Sequence, residues 1–451
     1  MTPLAPPRPA GLGDVEATLR GMEPRPSQGR VLRAVGPMVH AVLPGTFIGE
    51  LVRMRPRAGP ELLAEVVGLD DDVAIVAPIG DMRGLGTGCE VIRTGGPLLV
   101  PVGAPLLGRV LDGLGRALDG EGQGPLIATQ TRPCEVPPVA ALGRGLVSRP
   151  FPVGVRAIDG LLTCAEGQRI GIYGEPGGGK STLLGQLVRG AKADVVVVGL
   201  IGERGREVRD FVERQIDPAT RARSVLVVAT SDRPAMERIR AAHTATTIAE
   251  AFRDEGRRVL LVMDSITRFA RAMREVGLAA GEPPTRRGFP PSVLAQLPQL
   301  LERSGPGTDR LDGRSAGSIT AFYTVLVEGD GTDDPIAEET RSLLDGHIVL
   351  SPKLAAAGHF PAIDVLASRS RVMDAVVAPA HQAGAAHVRA LLHRHQEAEF
   401  LVQVGEYRAG ADLQTDEALA KIDRIRAFLK QGTAESTTFD DAVAWLGQLQ
   451  A

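Results

Sequence analysis

Apolar residues recur between positions 168 and 372 in short, nearly uninterrupted runs, and stretches with a helical period separate these runs. The run Val195-Val196-Val197-Val198 contains only β-branched side chains, which indicates a strand buried on both faces. Strands of this kind that alternate with helices predict a mostly parallel sheet covered by helices. The predicted strands are Gln168–Tyr173, Asp194–Leu200, Ser224–Ala229, Val259–Met263, Ser318–Val327 and His347–Leu350. The predicted helices include Met236–Glu255 and Ser292–Arg303.

The pattern differs on both sides of this region. From residue 29 to 93, short apolar runs alternate with Gly, Pro and Asp clusters, which is typical of a small antiparallel barrel. The Pro- and Gly-rich stretch 97–152 predicts a connector with one short helix over Val110–Ala117. Beyond about residue 379 the period is helical, with predicted helices at Ala385–Val404, Asp416–Leu429 and Phe439–Leu449. We therefore predict a flexible arm (1–27), a barrel domain (28–96), a central domain (97–378) and a C-terminal helical domain (379–451).

The composition and net charge of the chain argue against several classes of protein. The net charge of −3 over 451 residues provides no general attraction to nucleic acid or to an anionic membrane. We find no apolar run long enough to span a bilayer, and we expect no signal peptide. Cys89, Cys134 and Cys164 are widely spaced, which fits a reducing cytoplasm and argues against a disulfide framework or a zinc site.

A glycine-rich stretch between a predicted strand and a predicted helix has the pattern G-x-x-x-x-G-K-[ST] of a phosphate-binding loop. Its residues are Gly174, Glu175, Pro176, Gly177, Gly178, Gly179, Lys180, Ser181 and Thr182. Glycines allow successive amides to point at phosphate oxygens, and the helix N-terminus adds partial positive charge. Lys180 would reach the β- and γ-phosphates, and the Ser181 hydroxyl would bind Mg²⁺. The alternative is a glycine-rich turn that binds no ligand.

Two carboxylates follow predicted strands of the same sheet. Asp264 ends the run Val259–Met263, where it would lie beside the phosphate-binding loop and hold Mg²⁺. Glu203 follows the strand around Val195, and a carboxylate there can polarise a water molecule that attacks the γ-phosphate. Neighbouring Arg204 would offset phosphate charge. Each has an ordinary alternative, namely a strand-ending turn for Asp264 and a solvated charged loop for Glu203.

A further stretch, Ala367-Ser368-Arg369-Ser370-Arg371, places arginines near a predicted sheet edge, far along the chain from the phosphate-binding loop. An arginine in that place can act as a finger on the γ-phosphate bound by a neighbouring subunit. A surface ion pair is the simpler alternative, and the residues alone favour it.

Together these stretches resemble the ATPases of type III protein secretion systems, which are related to the catalytic subunit of rotary ATP synthases. The resemblance extends over about residues 28 to 450. It is densest at Val155–Cys164, Gly199–Val208, Pro291–Pro298, Gly317–Thr324, Glu338–Leu350 and Phe360–Ser368. The stretch Leu161–Cys164 favours the injectisome branch over the flagellar one. The resemblance implies a RecA-like P-loop NTPase core with a mostly parallel sheet, a small N-terminal β-barrel and a C-terminal helical domain.

The resemblance also implies roles for individual residues. Glu203 would be the carboxylate that acts on the attacking water, and Asp264 the acid in the Mg²⁺ shell. Arg268 and Arg204 would lie near the phosphates. Arg371 would be the finger that reaches into the adjacent subunit.

Four residues depart from the family pattern. Phe360 stands where the family has an aromatic ring against adenine, usually Tyr, so that stacking is kept without the hydroxyl. Glu175-Pro176 replaces small residues in the phosphate-binding loop, and the added carboxylate is expected to weaken nucleotide affinity. Arg369 lies close to Arg371 and is unusual for the family.

The resulting prediction is a Mg²⁺-dependent ATPase, with ATP as the nucleotide and with sites between the subunits of a homohexamer. It would use ATP hydrolysis to release chaperones and to unfold and export protein cargo, such as effectors, at the cytoplasmic side of a secretion apparatus. Its other partners would be stator and stalk proteins, with peripheral association to the inner membrane and no nucleic acid. The alternatives are a flagellar or other rotary-type ATPase, a hexameric RNA translocase and a ring subunit that binds nucleotide without catalysis.

Overall fold

The structure is a computed structural model and describes residues 28–175, 177–308, 317–327 and 334–450. The predicted flexible arm (1–27) and Pro176 of the glycine-rich loop lie outside the described residues. The chain divides into two compact units, Met1–Pro97 and Leu98–Ala451. None of the helices in the described ranges is long and apolar enough to cross a lipid bilayer.

In the first unit, six antiparallel strands close into a barrel in the order β1-β2-β5-β4-β3-β6, and β6 pairs back with β1. The strands are β1 Gln28–Val35, β2 Met38–Val42, β3 Leu51–Arg55, β4 Leu62–Asp70, β5 Val73–Pro78 and β6 Glu90–Arg93. Side chains alternate between the two faces of a strand, so that Val52 and Met54 of β3 both point into the buried interior. The predicted small antiparallel barrel is confirmed.

The strands of the second unit are β7 Leu99–Val102, β8 Val110–Asp112, β9 Gln130–Pro133, β10 Arg169–Gly174, β11 Val195–Ile201, β12 Ser224–Ala229, β13 Arg258–Asp264, β14 Gly305–Pro306, β15 Ser318–Leu326, β16 Gly346–Leu350 and β17 Ile363–Ser370. This unit is built on a large sheet in the order β17-β16-β10-β15-β13-β11-β12-β8, and the short strand β14 pairs with β15. Seven neighbouring strands, from β16 to β8 in that order, run parallel, whereas β17 and β14 are antiparallel to their neighbours. All of the side chains of β11 and β12 are buried. The predicted, mostly parallel sheet is thereby confirmed.

The strands of this unit include two, β7 and β9, that form a separate two-stranded sheet.

Helices pack around the sheet and continue beyond it towards the C-terminus. They are α1 Gly120–Gln123, α2 Arg156–Leu161, α3 Lys180–Gly190, α4 Gly205–Asp210, α5 Pro218–Ala222, α6 Ala235–Asp254, α7 Ile266–Ala279, α8 Pro291–Leu301, α9 Pro335–Leu343, α10 Pro352–Ala356, α11 Met373–Val376, α12 Pro379–Gln403, α13 Leu413–Leu429 and α14 Phe439–Gln450. The π-helical turn Phe211–Gln215 continues α4.

The helix predicted over Val110–Ala117 is wrong. Val110–Asp112 forms the edge strand β8, paired with β12, and the chain then turns back so that Leu111 and Ala117 form a bridge. The Asp112 carboxylate accepts the amides of Leu114 and Arg116 and thereby closes the turn. Pairing with a distant strand outweighed a helical period that spanned only two turns.

The C-terminal helices α12, α13 and α14 form a group that packs on α2. The predicted helical character of the C-terminal region is confirmed. The ring of Phe428 lies so close to Gly160 that a Cβ atom there would come within 2.7 Å of it. The Phe428 and Trp445 rings pack edge to face, with their centroids 5.7 Å apart. The Arg156 guanidinium carbon lies 4.8 Å from the centroid of the Trp445 ring. These aromatic contacts join the helical group to the element that precedes the phosphate-binding loop.

Candidate active site

The glycine-rich loop runs from the end of β10 at Gly174 to the start of α3 at Lys180. Gly177 and Gly179 have φ angles of 88° and 83°, which glycine adopts without a steric penalty. The Gly178 amide donates a 3.2 Å hydrogen bond to the Glu175 carbonyl and closes the loop. The sequence context of strand, loop and helix that defines a phosphate-binding loop is therefore present in space.

Lys180 is the first residue of α3, and its ammonium group points across the sheet edge. Its Nζ atom lies 2.6 Å from Oδ1 of Asp264, the last residue of β13. Ser181 and Thr182 follow in the first turn of α3. The lysine and the aspartate are therefore partners, so a bound phosphate would compete with Asp264 for the lysine.

Glu203 comes two residues after β11, which pairs in parallel with β13 so that Leu200 lies beside Asp264. Its side chain is 8% exposed, and its Oε1 atom lies 3.8 Å from Lys180 Nζ and 3.1 Å from Arg268 Nε. Within the described part of the chain this buried oxygen makes no well-directed hydrogen bond. The structure therefore brings Glu203, Lys180, Asp264 and Arg268 together at one edge of the sheet.

The electrostatics of this edge raise the pKa of Glu203. Burial raises the pKa of Glu203 to about 7, and the neighbouring Asp264 carboxylate and a hydrogen bond with Glu207 act in the same direction. The same hydrogen bond from Glu203 lowers the pKa of Glu207. A carboxyl group in this range can exchange a proton near neutral pH.

A cavity of about 160 Å³ opens at this edge. Its lining is mostly polar or charged and consists of Ser181, Leu200, Glu203, Arg206, Glu207, Val208, Asp210, Phe211, Gln215 and Asp264. Among the described residues no group of three or more His, Cys, Asp or Glu side chains is arranged to hold a metal. The Ser181 hydroxyl and the Asp264 carboxylate, which both line this cavity, fit Mg²⁺, because that ion keeps several waters and takes its other ligands from substrate phosphates.

Arg204 and Arg371 are not brought to this cluster within one chain. The Arg204 side chain is 72% exposed and lies 3.4 Å from Glu207. Arg371 follows β17 on the opposite side of the sheet, is exposed, and donates a 2.9 Å hydrogen bond to the Arg341 carbonyl. Arg369 is likewise exposed. A γ-phosphate contact from Arg371 would therefore have to involve a second copy of the chain.

Phe360 lies on the other side of the phosphate-binding loop. A Cβ atom on Gly179 would come within 3.3 Å of the Phe360 ring, so the ring rests against the loop where α3 begins. The side chain is 40% exposed, and its open part is available to a flat ligand.

Sequence reasoning assigned no role to three residues that the structure connects to the site. Thr324 hydrogen-bonds to Asp264, Glu207 to Glu203, and Gln431 to the backbone of Phe360. Thr324 and Glu207 each stood inside a stretch that the resemblance quoted, so their polar character close to a strand end was an available signal. Gln431 gave none, since its contact spans 71 residues of sequence.

Three family models match successive parts of the chain. They are the beta-barrel domain of the ATP synthase alpha/beta family at residues 31–95, its nucleotide-binding domain at 154–370, and the T3SS EscN ATPase C-terminal domain at 377–448. Fold and site together define a P-loop ATPase of the ATP synthase alpha/beta type.

Relatives narrow this class. The chain is 56% identical to the type 3 secretion system ATPase of Sinorhizobium fredii over 99% of this chain and 97% of that protein. It is 45% identical to the flagellum-specific ATP synthase of Pseudomonas aeruginosa over 94% and 93%. The assembled ATPase EscN of enteropathogenic E. coli matches with a TM-score of 0.88 at 45% identity, and its complex with the central stalk EscO with 0.85, each over 94% of this chain and 100% of EscN.

The chain belongs to the family of type 3 secretion system ATPases. The predicted family and the predicted activity, ATP hydrolysis coupled to type III secretion, are thereby confirmed. The flagellum-specific ATP synthase of Pseudomonas aeruginosa is a relative at lower identity than the Sinorhizobium fredii enzyme.

Proposed function

We propose that the sheet edge around Lys180, Glu203 and Asp264 is the site of ATP hydrolysis and that ATP binds there with Mg²⁺. The observation that carries this proposal is the position of Glu203 beside Lys180 and Asp264, with one buried oxygen that makes no directed hydrogen bond among the described residues. A carboxylate so placed can accept a hydrogen bond from a water molecule at the γ-phosphate.

Each residue of the loop has a separate task in this proposal. The backbone N–H groups of the loop, which Pro176 lacks, would surround the phosphates. Lys180 would leave Asp264 to neutralise the β- and γ-oxygens. Ser181 and Asp264 would hold Mg²⁺. When bound, Mg²⁺ neutralises charge on the phosphate oxygens and orients them. Phe360 would stack on the adenine.

Glu203 would orient the attacking water and take up its proton. Its pKa, raised to about 7 by burial, fits this task, because the deprotonated carboxylate is populated near neutral pH and is basic enough to accept the proton. Arg268, 3.1 Å from the same carboxylate, would hold Glu203 in place and lie near the phosphates. Arg204 is exposed on the loop after Glu203 and would meet phosphate only after that loop closes.

Arg371 would act on the nucleotide of an adjacent subunit in a homohexameric ring. This is supported by its exposure and by its separation from the cluster within one chain. It is also supported by the likeness to EscN, whose structure is described as assembled. An arginine supplied by a neighbour stabilises charge that develops on the γ-phosphate and couples the subunits of a ring.

The partners follow the same reasoning. EscN forms a complex with its central stalk EscO, and we propose a corresponding stalk protein for this chain. Stator proteins and chaperone–effector complexes would be further partners, and the ring would associate peripherally with the cytoplasmic side of the inner membrane. Binding of single-stranded RNA uses a positively charged groove and several stacking aromatic side chains. The net charge of −3 and the single aromatic residue of the barrel segment, Phe47, argue against an RNA substrate.

Replacement of Glu203 by Gln tests the proposal. Glu203→Gln keeps the size of the side chain and removes its basicity, so we expect at least a hundredfold loss of turnover with nucleotide binding retained. Glu213→Gln, an exposed change on the π-helical turn, is the matched control and should behave as the parent. Normal turnover by Glu203→Gln would show that the residue assigned to the water is wrong.

A further inference from the structure

A threonine stands at the end of the central strand β15, directly beside the aspartate of the site. Thr324 is fully buried, and β15 lies between β10, which leads into the phosphate-binding loop, and β13, which ends at Asp264. The register pairs Met263 with Tyr323, so the next position along each strand brings Asp264 beside Thr324. Thr324 therefore has its position fixed by two neighbouring strands and not by a loop.

The hydroxyl of Thr324 has two acceptors within reach and one proton to donate. Its Oγ1 atom lies 2.6 Å from Oδ1 of Asp264 and 3.3 Å from the carbonyl oxygen of Met263. The shorter distance and the negative charge of the carboxylate both favour donation to Asp264. Threonine is branched at Cβ and has a restricted χ1, so this donor is held in one orientation.

The same carboxylate oxygen is shared with the lysine of the loop. Lys180 Nζ also lies 2.6 Å from Asp264 Oδ1, and Thr324 and Lys180 are its two side-chain partners among the described residues. If Lys180 turns towards phosphate, Thr324 remains as the partner of that oxygen. The terminal torsion of an aspartate is broad, so an unheld carboxylate would sample several orientations.

We propose that Thr324 is a positioning residue: its hydroxyl holds Oδ1 of Asp264 and thereby directs the other oxygen, Oδ2, towards the cavity where Mg²⁺ would bind. This inference rests on the proposed function, in which Asp264 belongs to the Mg²⁺ shell and Lys180 binds phosphate. Thr324 acts through Asp264 and has no contact of its own with substrate.

The test measures binding of a fluorescent ADP analogue with and without Mg²⁺, together with the Mg²⁺ concentration that gives half-maximal ATPase rate. Thr324→Val keeps the shape of the side chain and removes the hydroxyl. We expect it to lose about tenfold of the Mg²⁺-dependent gain in ADP affinity, with unchanged affinity in EDTA, and to need about tenfold more Mg²⁺ for turnover. Thr324→Ser restores the hydroxyl and should bind as the parent does.

Thr320→Val is the matched control. Thr320 lies on the same strand and is equally buried, but its hydroxyl bonds at the opposite end of the sheet, where it accepts the Gly167 amide at 2.9 Å. This change should lower thermal stability without altering the Mg²⁺-dependent gain in ADP affinity. If Thr324→Val does not fold, Thr324→Ala and Thr324→Ser take its place, with loss expected for Ala only.

Asp264→Asn separates the two possible failures. If Asp264→Asn loses the Mg²⁺-dependent gain while Thr324→Val keeps it, the inference is overturned and the proposed function stands. If Asp264→Asn also keeps the gain, the metal role of Asp264 is wrong and the inference is overturned with it.

Discussion

The backbone amide of Gln431 donates a 2.8 Å hydrogen bond to the carbonyl oxygen of Phe360. The Gln431 side chain is buried and is fixed on the other side, because its Oε1 accepts the Arg156 amide at 2.8 Å and its Nε2 donates to the Gly154 carbonyl at 2.7 Å. One residue between α13 and α14 thus joins the C-terminal helices to the segment before the phosphate-binding loop. The ring of Phe360 rests against Gly179, so Gln431 is also connected to the phosphate-binding loop.

Loss of this connection should affect nucleotide binding. Gln431→Ala keeps the backbone amide that bonds to Phe360 but removes the side-chain bonds to Arg156 and Gly154 that hold this amide in place. We therefore expect it to raise the KM for ATP about three- to tenfold and to lower the melting temperature by a few degrees. Steady-state ATPase assays and thermal unfolding measure the two effects. Gln448→Ala, an exposed change on α14, is the control. An unchanged KM with a lowered melting temperature would limit Gln431 to a structural role.

The raised pKa of Glu203 predicts how stability depends on pH. Glutamate has an ordinary pKa of 4.5, whereas burial raises the pKa of Glu203 to about 7 in the folded chain. Between these values the native state keeps a proton that the unfolded state has released, so the free energy of unfolding falls as pH rises through the interval.

Thermal unfolding of the nucleotide-free protein at pH values across this interval checks the sign. Glu203→Gln should be close to the parent at low pH and more stable than the parent above pH 7. The pKa of Asp159 is also raised to about 7 by burial, so the parent keeps part of its pH dependence in this variant. A stability difference between variant and parent that does not change with pH would contradict the raised pKa of Glu203.

The proposed finger at Arg371 predicts an effect between subunits. We expect Arg371→Ala to lower the turnover about a thousandfold or more, since an arginine finger contributes on that order, with much smaller effects on nucleotide binding. Mixtures of variant and parent subunits should lose activity more steeply than in proportion to the variant fraction. Arg369→Ala, two residues away and also exposed, is the control. A proportional loss in mixtures would exclude action across a subunit boundary.

A buried ion pair away from the site predicts a large loss of stability. Arg303 Nη2 lies 2.5 Å from Glu250 Oε2, both side chains are nearly inaccessible, and Arg303 also bonds to Thr247 and to the Cys134 carbonyl. Glu250→Ala would leave the Arg303 charge buried without its counterion, which costs about 3–5 kcal/mol.

The matched change is Asp210→Ala, which removes the partner of the exposed Arg214 and should cost less than about 1 kcal/mol. Urea unfolding of the two variants and the parent measures both values. Similar costs for the two changes would show that the Arg303–Glu250 pair is not buried in solution.

Much of the fold could be read from the sequence because the signals are local. The β-branched run at Val195 indicated a buried strand, and the sheet follows from several such runs. The glycine spacing before Lys180 identified the phosphate-binding loop, since only a loop with left-handed glycines can turn its amides inward. The helix predicted from the short pattern at Val110 was wrong, because this segment instead pairs with β12, a strand more than 100 residues away along the chain.

The sequence by itself determined the class of core, the phosphate-binding loop and the two carboxylates that follow strands, because composition and spacing within a few residues encode these features. Tertiary structure decided which groups meet: Lys180 with Asp264, Thr324 with the same carboxylate oxygen, and Gln431 with Phe360. It also decided the raised pKa of Glu203, which depends on burial and on a charge from a neighbouring strand. Strand register and long-range packing set these distances, and neither can be predicted from a few neighbouring residues, because both depend on contacts between distant parts of the chain.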